Sequence, residues 1–227
     1  MSEREKILGS IREALAVNAP LPGAHDHHAP AVLRHRDDDV SQWLPAVGQT
    51  FEQRVERFHA NALDLRADFH LLNTVQEMGA KLLEIRDGEN WQKIGTHRGE
   101  LTDAVSAELG LPTIRTDDGY DVRELESCDA GISECDALVA QTGSVVVSNR
   151  SAGGRALSVL PPHHVVLARR EQLVRDLPAA FILLKHRYAP VFPSFFSFIT
   201  GPSRTGDIER ILVLGAHGPK KLTILCV

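Results

Sequence analysis

The sequence predicts an α/β domain built on a largely parallel sheet, and three features of its 227 residues support that. Segments with apolar residues at helical spacing alternate with short apolar runs of strand length, the order that clothes a parallel sheet in helices. The apolar runs of the second half end in Gly- and Pro-rich turns, as strands do where α/β proteins bind ligands. An apolar fraction of 43% is enough for a packed core.

The elements follow in order. From Glu3 to Val17, residues Ile7, Leu8, Ile11 and Leu15 share one face of an amphipathic helix. Residues 18–40 hold Pro20, Pro22, Gly23 and Pro30 and read as a linker. Residues 1–40 are thus expected to be a helical arm with a flexible linker, packing on a partner or on a second copy of the chain in a homo-oligomer. Residues 41–227 form the α/β domain. His25, His27, His28 and His35 in the linker read as solvated, because a metal would itself have to order such a tract.

Gln49 to Arg66 sets Phe51, Val55, Phe58, Ala62 and Leu65 in helical register. Phe69–Leu72 is a short strand, and Asn73 is placed to cap a helix through Met78, Leu82 and Leu83. Trp91 and Ile94 fall in a short strand. Leu101 to Leu109 is a helix closed by Gly110, and Thr113–Arg115 a further strand. Ala137–Ala140 and Ser144–Ser148 flank Gln141-Thr142-Gly143 as a hairpin. His163–Ala168 is a strand entered from Pro161-Pro162. The stretch from Glu171 through Ala180 reads as helical with a loosening near Pro178. Pro193 precedes a strand over 194–200, and Leu222–Val227 is the last strand.

The composition excludes several functions. A net charge of −5 argues against a general nucleic-acid binder. No apolar run approaches the ~20 residues of a membrane span. The amino terminus lacks the apolar core of a signal peptide, so a cytoplasmic location is expected. The three cysteines, Cys128, Cys135 and Cys226, form no C-x-x-C pair and read as reduced thiols. An iron–sulfur cluster takes about four thiolates, so any cluster must sit on partners. There is no G-x-G-x-x-G run and no P-loop, hence no sign of NAD or of nucleotide hydrolysis. No histidine spacing is diagnostic of zinc.

The main candidate site is the turn Gly201-Pro202-Ser203-Arg204-Thr205, followed by Asp207. Glycine and proline at a strand end expose backbone N–H groups, Ser203 and Thr205 add hydroxyls, and Arg204 adds a positive fork, a set suited to a small anionic ligand. A polar turn with a helix cap is the alternative. The nearby run Leu214-Gly-Ala-His-Gly-Pro219 places His217 between small residues, where it is accessible as a base or serves as a turn residue. Gln141, Thr142, Gly143 and Ser144 form a second candidate, either a ligand-contacting turn or a hairpin that needs its glycine. Gly153-Gly154 with Arg155 is a third. His163 and His164 alternate across their strand, so at most one of them reaches the same crevice. The crevice is expected at the carboxyl edge of the sheet.

These residues carry a resemblance. The segment Ile199 to Pro219 resembles the carboxyl terminus of the LUD-domain family, in particular its lactate utilization protein C (LutC) group, which has similar "GPSRT-x-DIE" and "LG-x-HGP" stretches. Gly131 to Ser144 is similar to the family's "A-(E/Q)-TG-(S/T)" hairpin, Leu160 to Val166 to its "LPPxH" turn, and Arg4 to Leu8 to its amino terminus. The resemblance implies a Rossmann-like layered sandwich of the NagB/RpiA/CoA-transferase-like type. It implies a role in oxidation of L-lactate to pyruvate with two iron–sulfur partner proteins, the chain binding a small anion or serving as an assembly subunit. The other reading is a free-standing enzyme or sensor of that superfamily, binding a phosphorylated metabolite or an acyl-CoA. Related CoA-transferases use a Glu nucleophile near such a glycine, and the comparable residue here is Gln141, whose amide cannot form an acyl-enzyme.

Overall fold

The structure is a computed structural model and describes residues 3–16, 45–205 and 213–227. The chain divides into two units, Met1–Trp43 and Leu44–Val227. The first contributes helix α1 (Glu3–Ala16). The linker expected over 18–40, with its histidines, lies outside the described residues.

The second unit begins with α2 (Phe51–Asp64), β1 (Asp68–Leu71), α3 (Val75–Glu89), β2 (Ile94–Thr96), α4 (Glu100–Leu109) and β3 (Thr113–Arg115). It continues with α5 (Val122–Glu126), β4 (Ala130–Glu134), the hairpin β5 (Ala137–Val139) and β6 (Ser144–Ser148), then β7 (His163–Ala168) and β8 (Leu173–Val174). It ends with α6 (Leu177–Tyr188), β9 (Phe196–Ile199), β10 (Arg204–Thr205), β11 (Val213–Leu214) and β12 (Lys221–Cys226). Six strands form a sheet in the order β1-β12-β7-β4-β2-β3, and every pair in it is parallel. A second sheet, β8-β5-β6-β9, is mixed.

The strand sequences explain the layering. Strands β4 and β7 carry buried residues on both faces, as central parallel strands must. One face meets α3 and α4 through a core of Met78, Leu82, Val105, Ile132, Val165 and Leu225. The other meets α2 and the second sheet through Phe58, Leu138, Val145, Val166 and Ile224. The far face of the second sheet, with Ala137, Val139 and Val146, packs on Ala180 and Leu184 of α6. The result is a helix–sheet–sheet–helix sandwich, consistent with the NagB/RpiA/CoA-transferase-like type.

Local signals account for the element ends. Thr50 closes a capping box on α2, accepting from the Gln53 N–H while Gln53 Oε1 accepts from the Thr50 N–H. Gly110, at φ 62°, ends α4 in the left-handed region as expected. Two expectations fail. Thr74, not Asn73, caps α3, because its side chain reaches the Glu77 N–H, while the Asn73 N–H donates to the Glu77 carboxylate. Pro178 does not loosen a helix: it sits in the first turn of α6 behind the cap Asp176, where a missing N–H costs nothing. Residues 170–172 form a single 3-10 turn, followed by β8. Among the described residues no helix is long and apolar enough to cross a membrane.

Candidate functional site

Strand β9 ends at Ile199, and the chain turns sharply through Gly201 at φ 84°, so close to α2 that a Cβ there would stand 2.9 Å from the Leu65 carbonyl oxygen. The two Gly-rich turns singled out in the sequence are tied into one structure. The Ser203 N–H donates to the Pro219 carbonyl at 2.9 Å, and the Gly215 N–H to the Ser203 carbonyl at 2.9 Å. Beyond them Arg204 pairs with Leu214 across the antiparallel ribbon β10–β11.

Together they bound a cavity of about 250 Å³ whose polar wall is His164, Thr200, Ser203 and His217, with Gly201 and Pro202 at the turn. Leu222 and Ile199 supply apolar surface and Ser158 borders it. His164 and Leu222 are paired second residues of β7 and β12. The cavity therefore lies at the amino-terminal ends of the parallel strands, not at their carboxyl edge as the sequence suggests. The Gly201 turn does follow the carboxyl end of a strand, but that strand belongs to the second sheet.

His164 is 1% exposed, and its Nε2 lies 2.9 Å from the Ser133 hydroxyl. The register that pairs Gly131 with His164 sets Ser133, two residues on, on the same sheet face. The other ring nitrogen, Nδ1, has no hydrogen-bond partner in the protein. Burial, with a smaller contribution from neighbouring His163, pulls the ring down to about 3. His163 faces the opposite side of the sheet, with Nδ1 3.0 Å from Glu89 and Nε2 2.9 Å from the Thr223 hydroxyl. Burial lowers its pKa too, partly opposed by Glu89. Burial works against ionisation of Glu89, but hydrogen bonds from Lys221, His163 and Trp91 outweigh it and bring the carboxyl down to about 2.

The remaining candidates separate. His217 is exposed and stands between this cavity and an adjoining one of about 460 Å³ that contains Lys220 and Glu126. Arg204 is exposed and folds back, its guanidinium donating to the Thr200 carbonyl at 3.2 Å, so it braces the turn from outside the cavity wall. The backbone of Thr205 pairs with Val213, while Asp207 lies outside the described residues. Ser144 reaches the site indirectly, with its hydroxyl 2.8 Å from Thr200 Oγ1 and 2.7 Å from Thr142 Oγ1. Gly143, at φ 66°, lets the hairpin press on Asn61 of α2, where a Cβ would be 2.9 Å from the Asn61 Cβ. Gln141 is buried beside it, its amide donating to the Pro45 carbonyl at 3.2 Å and its Oε1 unpartnered. Gly153 packs on His97 and accepts from the Thr116 hydroxyl at 2.7 Å; neither it nor Arg155 borders the cavity. Thr200 and Ser133 were not among the sequence candidates. Both are neutral hydroxyls without a motif of their own, Ser133 within β4 and Thr200 just past the end of β9, and only the folded arrangement shows what they face. No group of three or more potential metal ligands occurs among the described residues.

Fold and cavity define a layered α/β domain with a small polar cleft between its two sheets. The chain belongs to the LUD domain family, whose family model it matches over residues 55–227. It is 34% identical to lactate utilization protein C of Anoxybacillus flavithermus over 180 residues, covering 78% of each chain. It is 35% identical to the Oceanobacillus iheyensis protein of the same name over 104 residues, covering 45% of each. The fold is similar to a crystal structure of a DUF162 family protein from Deinococcus radiodurans, with a TM-score of 0.61 and 18% identity, covering 79% of this chain and 99% of that one.

Proposed function

We propose that this chain is a cytoplasmic component of L-lactate utilization that binds a small carboxylate in the cavity between its sheets. Two iron–sulfur partner proteins carry the electrons as lactate becomes pyruvate, and this chain holds no redox centre. The relatives' names supply the lactate setting. The observation that carries the site is the cavity of about 250 Å³ lined by His164, Thr200, Ser203 and the exposed His217, with one wall residue, His164, keeping a buried ring nitrogen without a partner. Buried polar groups without partners are costly, so an unpartnered one in a cavity wall supports a bound ligand. In this reading His217, exposed at the cavity, takes up the hydroxyl proton of lactate. The three thiols are buried, and burial pushes Cys128 up to about 11 and Cys226 to about 12, which makes them poor thiolate ligands.

The test is lactate oxidation by the system purified from lactate-grown cells, with and without this chain. Activity should fall in its absence, and His217→Gln should lower it while leaving assembly intact. Unchanged activity without the chain would overturn the proposal, and loss of assembly would make His217 structural. A second reading, binding of a phosphorylated metabolite or acyl-CoA, is favoured by one observation, the adjoining cavity with Lys220 beyond His217. Calorimetry with acetyl-CoA and a sugar phosphate against lactate decides between them.

A further inference from the structure

The pairing of Ser133 with His164 is a buried hydroxyl–imidazole contact with zero exposure at the serine and 1% at the histidine. Its proton arrangement follows from counting partners. The Ser133 hydroxyl has His164 Nε2 as its hydrogen-bond partner, and Nδ1 has none in the protein. If Nε2 carried the proton and donated, the serine O–H would lack an acceptor and Nδ1 would be an unpartnered lone pair. That leaves two buried polar groups unsatisfied. If the serine donates to Nε2, the serine is satisfied and one group remains, an N–H at Nδ1. The second arrangement is the cheaper, and its one unpartnered donor is a buried atom of a residue that lines the cavity. The ring stays uncharged near neutral pH because burial opposes its protonation.

We propose that His164 is a neutral hydrogen-bond donor fixed in its Nδ1–H tautomer by Ser133, and that it binds the keto oxygen of a small 2-oxo carboxylate. The proposal rests on the reading of this cavity as a small-carboxylate site and adds which part of the ligand is recognised and by what. A keto oxygen only accepts, and a tautomer locked as donor matches it. A hydroxyl in the same place must also give its own proton to an acceptor, and the imidazole assigned that role, His217, is exposed and reached in competition with water, so a 2-hydroxy acid gains less from the contact. An acid without an oxygen at that carbon leaves the N–H orphaned. His164 is thus a specificity residue and Ser133, acting through it, a positioning residue.

The experiment uses the full chain with pyruvate, L-lactate and propionate as probes. Long-range ¹H–¹⁵N spectra should show His164 as the Nδ1–H tautomer at neutral pH, with pyruvate shifting that resonance. Calorimetry should rank pyruvate above lactate above propionate, with about tenfold between first and last, the worth of one hydrogen bond. His164→Phe should bring the ratio of pyruvate to propionate affinity close to one. Ser133→Ala should shrink the ratio and let the Nε2–H tautomer appear. An Nε2–H tautomer in the wild type, or a ratio unmoved in both variants while the acids still bind, overturns the donor assignment and leaves the carboxylate site standing. Absence of binding by all three acids overturns both. If His164→Phe does not fold, the wild-type spectra and Ser133→Ala still decide.

Discussion

His163 and His164 are neighbours in one strand and live in opposite worlds. On the helix side, both nitrogens of His163 are engaged, by Glu89 and Thr223, and its ring lies edge-on to Trp91 with centroids 5.4 Å apart. Glu89 is itself held by Lys221 at 2.8 Å and by the Trp91 N–H at 3.0 Å. On the side of the second sheet, His164 lines a cavity and has one partner, Ser133, with its other ring nitrogen buried and unpartnered. Two buried histidines of equal composition differ only in how completely their neighbours satisfy them. A saturated polar cluster holds the fold together, and an unsaturated one leaves room for a ligand.

The contrast can be broken by substitution. His163→Ala should cost about 3 kcal/mol of stability in urea unfolding, since it opens a void under Trp91, leaves Thr223 without this partner and takes one of three hydrogen bonds from Glu89. His164→Ala should cost less, about 1 kcal/mol, because the space it vacates joins an existing cavity and only Ser133 loses its partner. Equal losses would erase the distinction drawn between the two sides.

Acid sharpens the same comparison. His164 is depressed in the folded state to about 3, below its ordinary value, so the unfolded chain binds the proton first as pH falls. The stability it contributes is fully present above about pH 6.5 and is lost below it, by up to about 1.4 kcal/mol per pH unit. His163 shifts the same way but is opposed by Glu89. Replacing His164 by Gln should therefore flatten the acid limb between about pH 6 and pH 4 in thermal melts. An unchanged slope would mean that its ring already titrates normally. Glu89 adds a lower window: its carboxyl, held at about 2, loses its contribution as pH drops from about 4.5. The smallest effect belongs to Arg204→Ala. Exposed and bonded to the Thr200 carbonyl, it should weaken pyruvate binding only about two- to fivefold, the worth of a solvent-screened contact. A hundredfold loss would put the guanidinium on the ligand.

Much of the fold is legible in residue order. The hairpin around Gln141–Gly143, the strand after Pro161-Pro162 and the helix closed by Gly110 all carry their own local signals. Strand β4 does not: Ala130-Gly131-Ile132-Ser133-Glu134 mixes small and polar residues, and it is a strand because its neighbours β2 and β7 bury it. Gly131 is small because the Leu157 carbonyl oxygen would stand 2.4 Å from a Cβ there, a contact made by residues 26 positions away in sequence. The second sheet is equally silent, since an apolar run does not declare which sheet it joins. The site divides on the same line. Gly201 to Ser203 and His217 announce themselves by glycine, proline and polar side chains packed together. Ser133 and Thr200 do not, because what they face is set by register and by chain segments brought together only on folding.

The ties between Ser203, Pro219 and Gly215, with the ribbon that pairs Arg204 and Leu214, couple the two Gly-rich turns through backbone alone. Backbone bonds do not depend on side-chain identity, so a substitution at Ser203 or His217 changes the chemistry of the cavity wall without moving the frame that carries it. The turn and the histidine loop inherit a common frame, and evolution is free to edit the side chains mounted on it.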